Sequence, residues 1–224
     1  MGRAKQTAKP KTVETRIKNK DLIDLRRKQI VEGAIKCFVA KGFHKATVRE
    51  IAEAAGLTMG SMYNYINTKE DIIYIVYDHI TRTLRDSMFL AIASLEDPAE
   101  RLKAALRHNL ETINRHSDVI MFLYNSSGYL DRESLHEVLA RETEYIELFE
   151  QLLRESLAGR KINETRLKIA ADMMAFIPVM VTFRRWSLRR RFKSVEEVME
   201  GMLNFILYGV EFVPAEAEKL FQWS

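Results

Sequence analysis

The chain has 224 residues, 47% of them hydrophobic and 29% charged, with a single cysteine, a composition that excludes the disordered and disulfide-stapled classes and fits a reducing cytoplasm. The longest apolar run, 173–183, falls well short of the roughly 20 residues a membrane-spanning helix needs, and no apolar core follows the basic residues at the start to form a secretory signal. The formal charge of +4 is uneven, with +7 on residues 1–28 and −3 on the rest, so a basic arm precedes a mildly acidic body and suits either a polyanion or plain solvation.

Residues 1–22 lack apolar periodicity and read as a flexible arm. Ile30, Ala34, Cys37 and Phe38 then mark one face of a first helix that Gly42 ends. Thr47 with Glu50 three residues on forms a capping box for a second helix that buries Val48, Ile51, Ala52 and Ala55 and stops at Gly56. Thr58 caps a third, very short helix ending near Tyr65. Thr68 opens a long fourth helix whose stripe runs through Ile73, Val76, Tyr77, Ile80, Leu84 and Met88. Further helices are predicted near 98–115, 118–126, 132–158, 164–191 and 195–212. No strand-like alternation appears. The expectation is an all-α protein of about nine helices, with a small N-terminal bundle and a larger C-terminal one.

A helix, a glycine turn and a second helix over 46–65 describe a helix-turn-helix, whose second helix lies in the DNA major groove. The outward positions of that helix are predicted to be Thr58, Met59, Ser61, Tyr63, Asn64 and Tyr65, with Leu57, Met62 and Ile66 in the core. Gly60, lacking a side chain, would let the helix press on its neighbours or on a sugar-phosphate strand. Hydroxyls and amides suit phosphate oxygens, Asn64 suits adenine, and Met59 or Tyr63 suits a thymine methyl. A plain αα-hairpin would present the same pattern.

From Arg26 to about Ile80 the sequence resembles the N-terminal domain of the TetR family of bacterial transcriptional regulators. The resemblance is carried by Gly42-Phe43, Thr47, Ile-Ala-x-x-Ala-Gly (51–56), Gly60, Tyr63-Asn64-Tyr65 and Lys69-Glu70. Ile66 stands where the family usually has Phe, an apolar exchange that leaves the fold intact. The resemblance implies that Thr47 and Arg49 touch phosphates, that Thr58, Ser61, Tyr63, Asn64 and Tyr65 face the groove, and that Lys69 clamps a phosphate at the head of the fourth helix. Arg26, Arg27, Lys28 and the arm would add minor-groove contacts. It divides the chain into the arm 1–22, a DNA-binding domain 23–83, a ligand-binding and dimerisation domain 84–213 and a tail 214–224.

In the C-terminal half, the helices expected at 164–191 and 195–212 are apolar on more than one face, which suits a four-helix isologous dimer interface. Pro178 falls inside the first of them and predicts a kink. A pocket beside it would be lined by Met121, Phe122, Tyr124, Tyr145, Phe149, Met174, Ile177 and Val181, unless these are plain core. The run "FRRWSLRRRF" (183–192) resembles an Arg-Trp-x-Leu segment of TetR-family regulators of fatty-acid and sterol catabolism. On that resemblance Arg184, Arg185 and Trp186 would hold the phosphates of an acyl-CoA; the alternative is a solvated helix end with Trp186 in the core.

No His-Glu-x-x-His, P-loop, Gly-x-Gly-x-x-Gly or Gly-x-Ser-x-Gly occurs, so no metal, cofactor or catalytic residue is predicted. Cys37 is expected on the buried face of the first helix, as inert packing. The reading is a ligand-responsive homodimeric repressor of a DNA operator, with a small apolar effector and no membrane partner. The alternatives are a DNA-binding regulator without an effector, and a helical binding module or enzyme that does not act on DNA.

Overall fold

The computed structural model describes residues 19–211; the tail expected over 214–224, and the arm up to residue 18, lie outside the described residues. Among those described, every regular element is helical: α1 Lys20–Lys45, α2 Val48–Ala54, α3 Met59–Met62, α4 Lys69–Ile92, α5 Pro98–Arg115, α6 Ser117–Ser126, α7 Arg132–Ser156, α8 Glu164–Phe176, α9 Met180–Arg191 and α10 Val195–Glu211. Two 3-10 turns, Ser127–Tyr129 and Ile177–Val179, complete the set. The predicted long helix 164–191 is divided by the second turn, which holds Pro178. Proline has no N–H to continue the helical ladder, so the kink becomes a break.

The helix ends follow the capping chemistry of the sequence. Asn19 accepts the Leu22 N–H at 3.2 Å, and Gly42, at φ 77°, interrupts α1 before its last residues. Asp97, Asn163 and Thr68 cap α5, α8 and α4 through their side-chain oxygens.

Among the described residues, contacts divide the chain into two compact units, the first holding residues 19–82 and 121–142, the second residues 83–120 and 143–211. The division falls between Arg82 and Thr83, within α4, and residues 121–142 pack with the first unit. Three contacts explain this: Phe122 stacks on Phe38 with centroids 4.7 Å apart, the Tyr77 hydroxyl donates to the Leu123 carbonyl at 2.6 Å, and Arg141 pairs with Asp78.

In the first unit, Ile30, Ala34 and Phe38 of α1 are buried as the periodicity implies, while Cys37 is only half-buried. Burial raises its thiol pKa, the direction that disfavours the nucleophilic thiolate. A close approach sets the angle between α1 and α2: a Cβ on Gly33 would lie 2.8 Å from both the Ile51 carbonyl oxygen and the Ala55 nitrogen. The second unit has one core, centred on Met88, Leu106, Leu110, Phe149, Leu152 and Met174.

Candidate nucleic-acid interface and ligand cavities

The helix-turn-helix is built by two caps around one turn. Thr47 Oγ1 accepts the Glu50 N–H at 3.2 Å while Glu50 Oε2 accepts the Thr47 N–H at 2.9 Å, closing the capping box of α2. Gly56, at φ 66°, takes the left-handed conformation that reverses the chain, and the Leu57 N–H returns to the Ala52 carbonyl at 2.8 Å. Thr58 Oγ1 then accepts the Ser61 N–H at 3.1 Å to start α3. With four residues α3 is a single turn, too short to persist on its own.

What holds α3 is its anchoring to the core. Met62, Tyr65 and Ile66 are all at most 1% exposed. This corrects the prediction for Tyr65: its ring fills the core and presents nothing to a groove, because α3 ends at Met62 and the chain beyond it turns inward. Tyr63, by contrast, is 49% exposed. Thr58 is exposed and Met59, Ser61 and Asn64 are half-buried, so these five side chains form one accessible surface. Gly60 has open space where a Cβ would stand, with no protein neighbour pressing on it.

The flanking residues are partly engaged. The Thr47 hydroxyl also donates to Glu50 Oε2 at 2.8 Å. Arg49 pairs with Glu53 at 3.3 Å, on a surface where such a pair is worth little and exchanges readily for a phosphate. Glu50 is held well below the usual carboxylate range, at about 2, by hydrogen bonds from the Lys41 ammonium and from the Thr47 backbone and side chain. At the head of α4, Lys69 Nζ lies over the Phe43 ring, 4.2 Å from its centroid, and donates to the His44 carbonyl at 3.3 Å. Partial burial lowers its pKa, against the opposing pull of Glu70 and Glu50. Sequence reasoning missed the supporting residues Gly33, His44 and Tyr129. The Gly-aromatic pair pointed to Phe43, but nothing local marks a tyrosine 85 residues beyond His44 as its neighbour.

The predicted ligand-binding residues are not brought together. Met121, Phe122 and Tyr124 belong to the first unit, where Phe122 stacks on Phe38. Phe149 and Met174 are fully buried in the core of the second. The Tyr145 hydroxyl donates to Asn109 at 2.9 Å. Val181 and Arg185 border a cavity of about 350 Å³ with Leu188, Arg189, Phe192, Lys193 and Val198. Ile177 borders a separate, more open one of about 810 Å³ with Leu157, Arg160, Arg166, Met173 and Phe205. Arg185 pairs with Asp118 at 2.9 Å. Trp186, 62% exposed, lies outside both cavities and outside the core, with the Arg184 guanidinium 5.2 Å from its ring centroid. Five arginines crowd α9, and their desolvation cost keeps this end of the helix, Trp186 included, at the surface.

A broad apolar face remains open on α8, α9 and α10, where Ile169, Met173, Phe176, Met180, Phe183 and Phe205 are all exposed.

Comparison with known proteins bears on both units. Residues 30–73 match the model of "Bacterial regulatory proteins, tetR family", and residues 95–210 match that of the "Tetracyclin repressor-like, C-terminal domain". The HTH-type transcriptional regulator HbdR of Aromatoleum sp. (strain CIB) is 26% identical over 195 residues, covering 86% of this chain and 84% of HbdR. The HTH-type transcriptional repressor KstR2 of Rhodococcus jostii is 27% identical over 197 residues, covering 83% of this chain and 91% of the repressor. Among solved structures, AibR in complex with isovaleryl coenzyme A and operator DNA shares the fold, with a TM-score of 0.61 at 20% identity over 80% of this chain and 97% of AibR.

Proposed function

This chain belongs to the TetR family of bacterial transcriptional regulators, and from that premise we propose that it is a cytoplasmic, homodimeric repressor released from its operator by a small apolar, anionic effector, with an acyl-CoA as the best candidate. The observation that carries the DNA reading is the accessible surface of Thr58, Met59, Ser61, Tyr63 and Asn64, raised on a turn that Leu57, Met62, Tyr65 and Ile66 anchor in the core. Thr47, Arg49 and Lys69 flank it as phosphate contacts. A second copy related by a two-fold axis would present the same surface to a successive major groove, about 34–36 Å away or a multiple of that.

The dimer is supported by the exposed apolar side chains on α8, α9 and α10, which packing against the symmetry mates of these helices would cover as an isologous interface. The effector reading is supported by the cavity of about 350 Å³, whose floor of Val181, Leu188 and Val198 is apolar and whose edge carries Arg185, Arg189 and Lys193. That combination suits an acyl chain joined to phosphates. It is also supported by the isovaleryl coenzyme A bound to AibR. Release requires that the effector bind the DNA-incompetent state more tightly than the DNA-bound one.

The test is fluorescence anisotropy on labelled DNA from upstream of the gene, and on fragments enriched by genome-wide selection, against scrambled DNA, with and without a long-chain acyl-CoA. Tight specific binding that the ester releases is the expected result. Specific binding indifferent to the ester removes the effector and keeps the regulator. Absence of any preferred fragment overturns the DNA reading.

A further inference from the structure

Two stretches of chain far apart in sequence meet at the head of α4. Phe43 and His44, which carry Lys69, are also the residues that receive Tyr129 from the turn Ser127–Tyr129. The Tyr129 ring stacks on Phe43 with centroids 4.6 Å apart and planes at 22°. It meets the His44 ring edge-on at 4.9 Å, and its hydroxyl lies 2.6 Å from His44 Nε2. Thus the aromatic face under the Lys69 ammonium, and the backbone carbonyl that accepts its hydrogen bond, are both fixed by one side chain.

A lysine reaches a phosphate on a stem of several rotatable bonds, and ordering that stem opposes binding. An ammonium already held at one point above the DNA surface loses less freedom when the phosphate arrives. We propose that Tyr129 is a positioning residue for the Lys69–phosphate contact, and that the turn between α6 and α7 thereby sets the strength of DNA binding. This inference rests on the DNA reading proposed above. Any displacement of the 127–129 turn would free Phe43 and His44, and Lys69 with them.

The experiment is a double-mutant cycle on the fragment that the wild-type protein prefers, with affinity measured across a series of salt concentrations. Lys69→Ala and Tyr129→Ala should each weaken binding roughly three- to tenfold; Lys69→Ala should lower the slope of log affinity against log salt by about 0.9, the loss of one phosphate contact, and Tyr129→Ala, which leaves the lysine on the phosphate for less of the time, by a part of that. The double variant should bind no more weakly than Lys69→Ala alone. Tyr129→Phe, which keeps the stack and drops the hydroxyl, should fall between wild type and Tyr129→Ala, and it carries the test if the alanine variant folds poorly. An additive double variant, or Tyr129 variants with the wild-type salt slope, would overturn the inference. A wild-type protein that prefers no fragment fails the DNA reading, whereas one that binds specifically while Tyr129→Ala binds equally well fails only this one.

Discussion

The side-chain amide of Asn109 donates to the carbonyl oxygen of Met174 at 3.3 Å, the oxygen that the N–H of residue 178 would serve in an unbroken helix. Residue 178 is a proline, so α5 supplies the donor that the chain itself lacks. The Asn109 carbonyl oxygen is in turn satisfied by the Tyr145 hydroxyl at 2.9 Å. Truncating Asn109 to alanine strands a buried carbonyl and removes the partner of a phenol, at a cost of about 3 kcal/mol. Urea unfolding should show that loss, and it should shrink in a Pro178→Ala background, where a backbone N–H is again available. An equal cost in both backgrounds would mean that the amide does not stand in for the missing donor.

Gly33→Ala tests the packing of α1 on α2. In an ordinary helix this exchange stabilises by about 0.5–1 kcal/mol, yet here the new methyl meets backbone atoms of α2 at 2.8 Å. Backbone yields little, so steric cost decides the sign and a net loss of about 1–3 kcal/mol is expected. Thermal melting of the variant measures it; a raised melting temperature would show that the two helices can part freely.

Tyr63 and Tyr65 are two residues apart with opposite surroundings. Tyr65→Ala empties a fully buried site and should cost about 3–5 kcal/mol. Tyr63→Ala should leave stability within about 0.5 kcal/mol while weakening binding to the preferred DNA fragment. Melting curves and anisotropy on the same two proteins separate the roles.

The capping box predicts an acid-sensitive step. Hydrogen bonds from Lys41 and then from Thr47 lower the Glu50 carboxyl from an ordinary 4.5 to about 2 in the folded chain. A depressed folded value means the contribution is present above about 4.5 and is lost as pH falls towards about 2. Glu50→Gln should be less stable at neutral pH, and its stability should fall less than that of wild type over this window. Parallel pH profiles from urea titrations would show that the cap does not contribute there.

Phe205 is 69% exposed on the open face of the second unit, so a charge there costs the single chain little. Phe205→Glu should shift the light-scattering mass from dimer towards monomer while the circular dichroism stays helical. A dimer of wild-type strength would place the association surface elsewhere.

Local chemistry made much of this fold legible. Thr47 with Glu50, Gly56 and Thr58 each act within three or four residues of themselves, and each does in the structure what its spacing suggests. The failures share one cause, contacts between residues distant in sequence. Periodicity placed Tyr65 on the outer side of a short helix, but α3 is only one turn, so its 3.6-residue period ends before Tyr65 and tertiary packing takes over. Phe122 is an apolar candidate for a pocket beside the Pro178 kink or for plain core, and its partner Phe38, which decides for packing, lies more than eighty residues earlier. An exposed tryptophan among arginines cannot be told from a buried one by composition.

The brevity of α3 has an evolutionary consequence. Because Met62, Tyr65 and Ile66 fill the core and Thr58 supplies the cap, the accessible positions Met59, Ser61, Tyr63 and Asn64 can change identity with little effect on how the chain folds. A duplicated copy of this gene could therefore acquire a new target sequence through a handful of substitutions at Met59, Ser61, Tyr63 and Asn64, each tolerated singly. The anchored turn acts as a socket into which different lettering can be set.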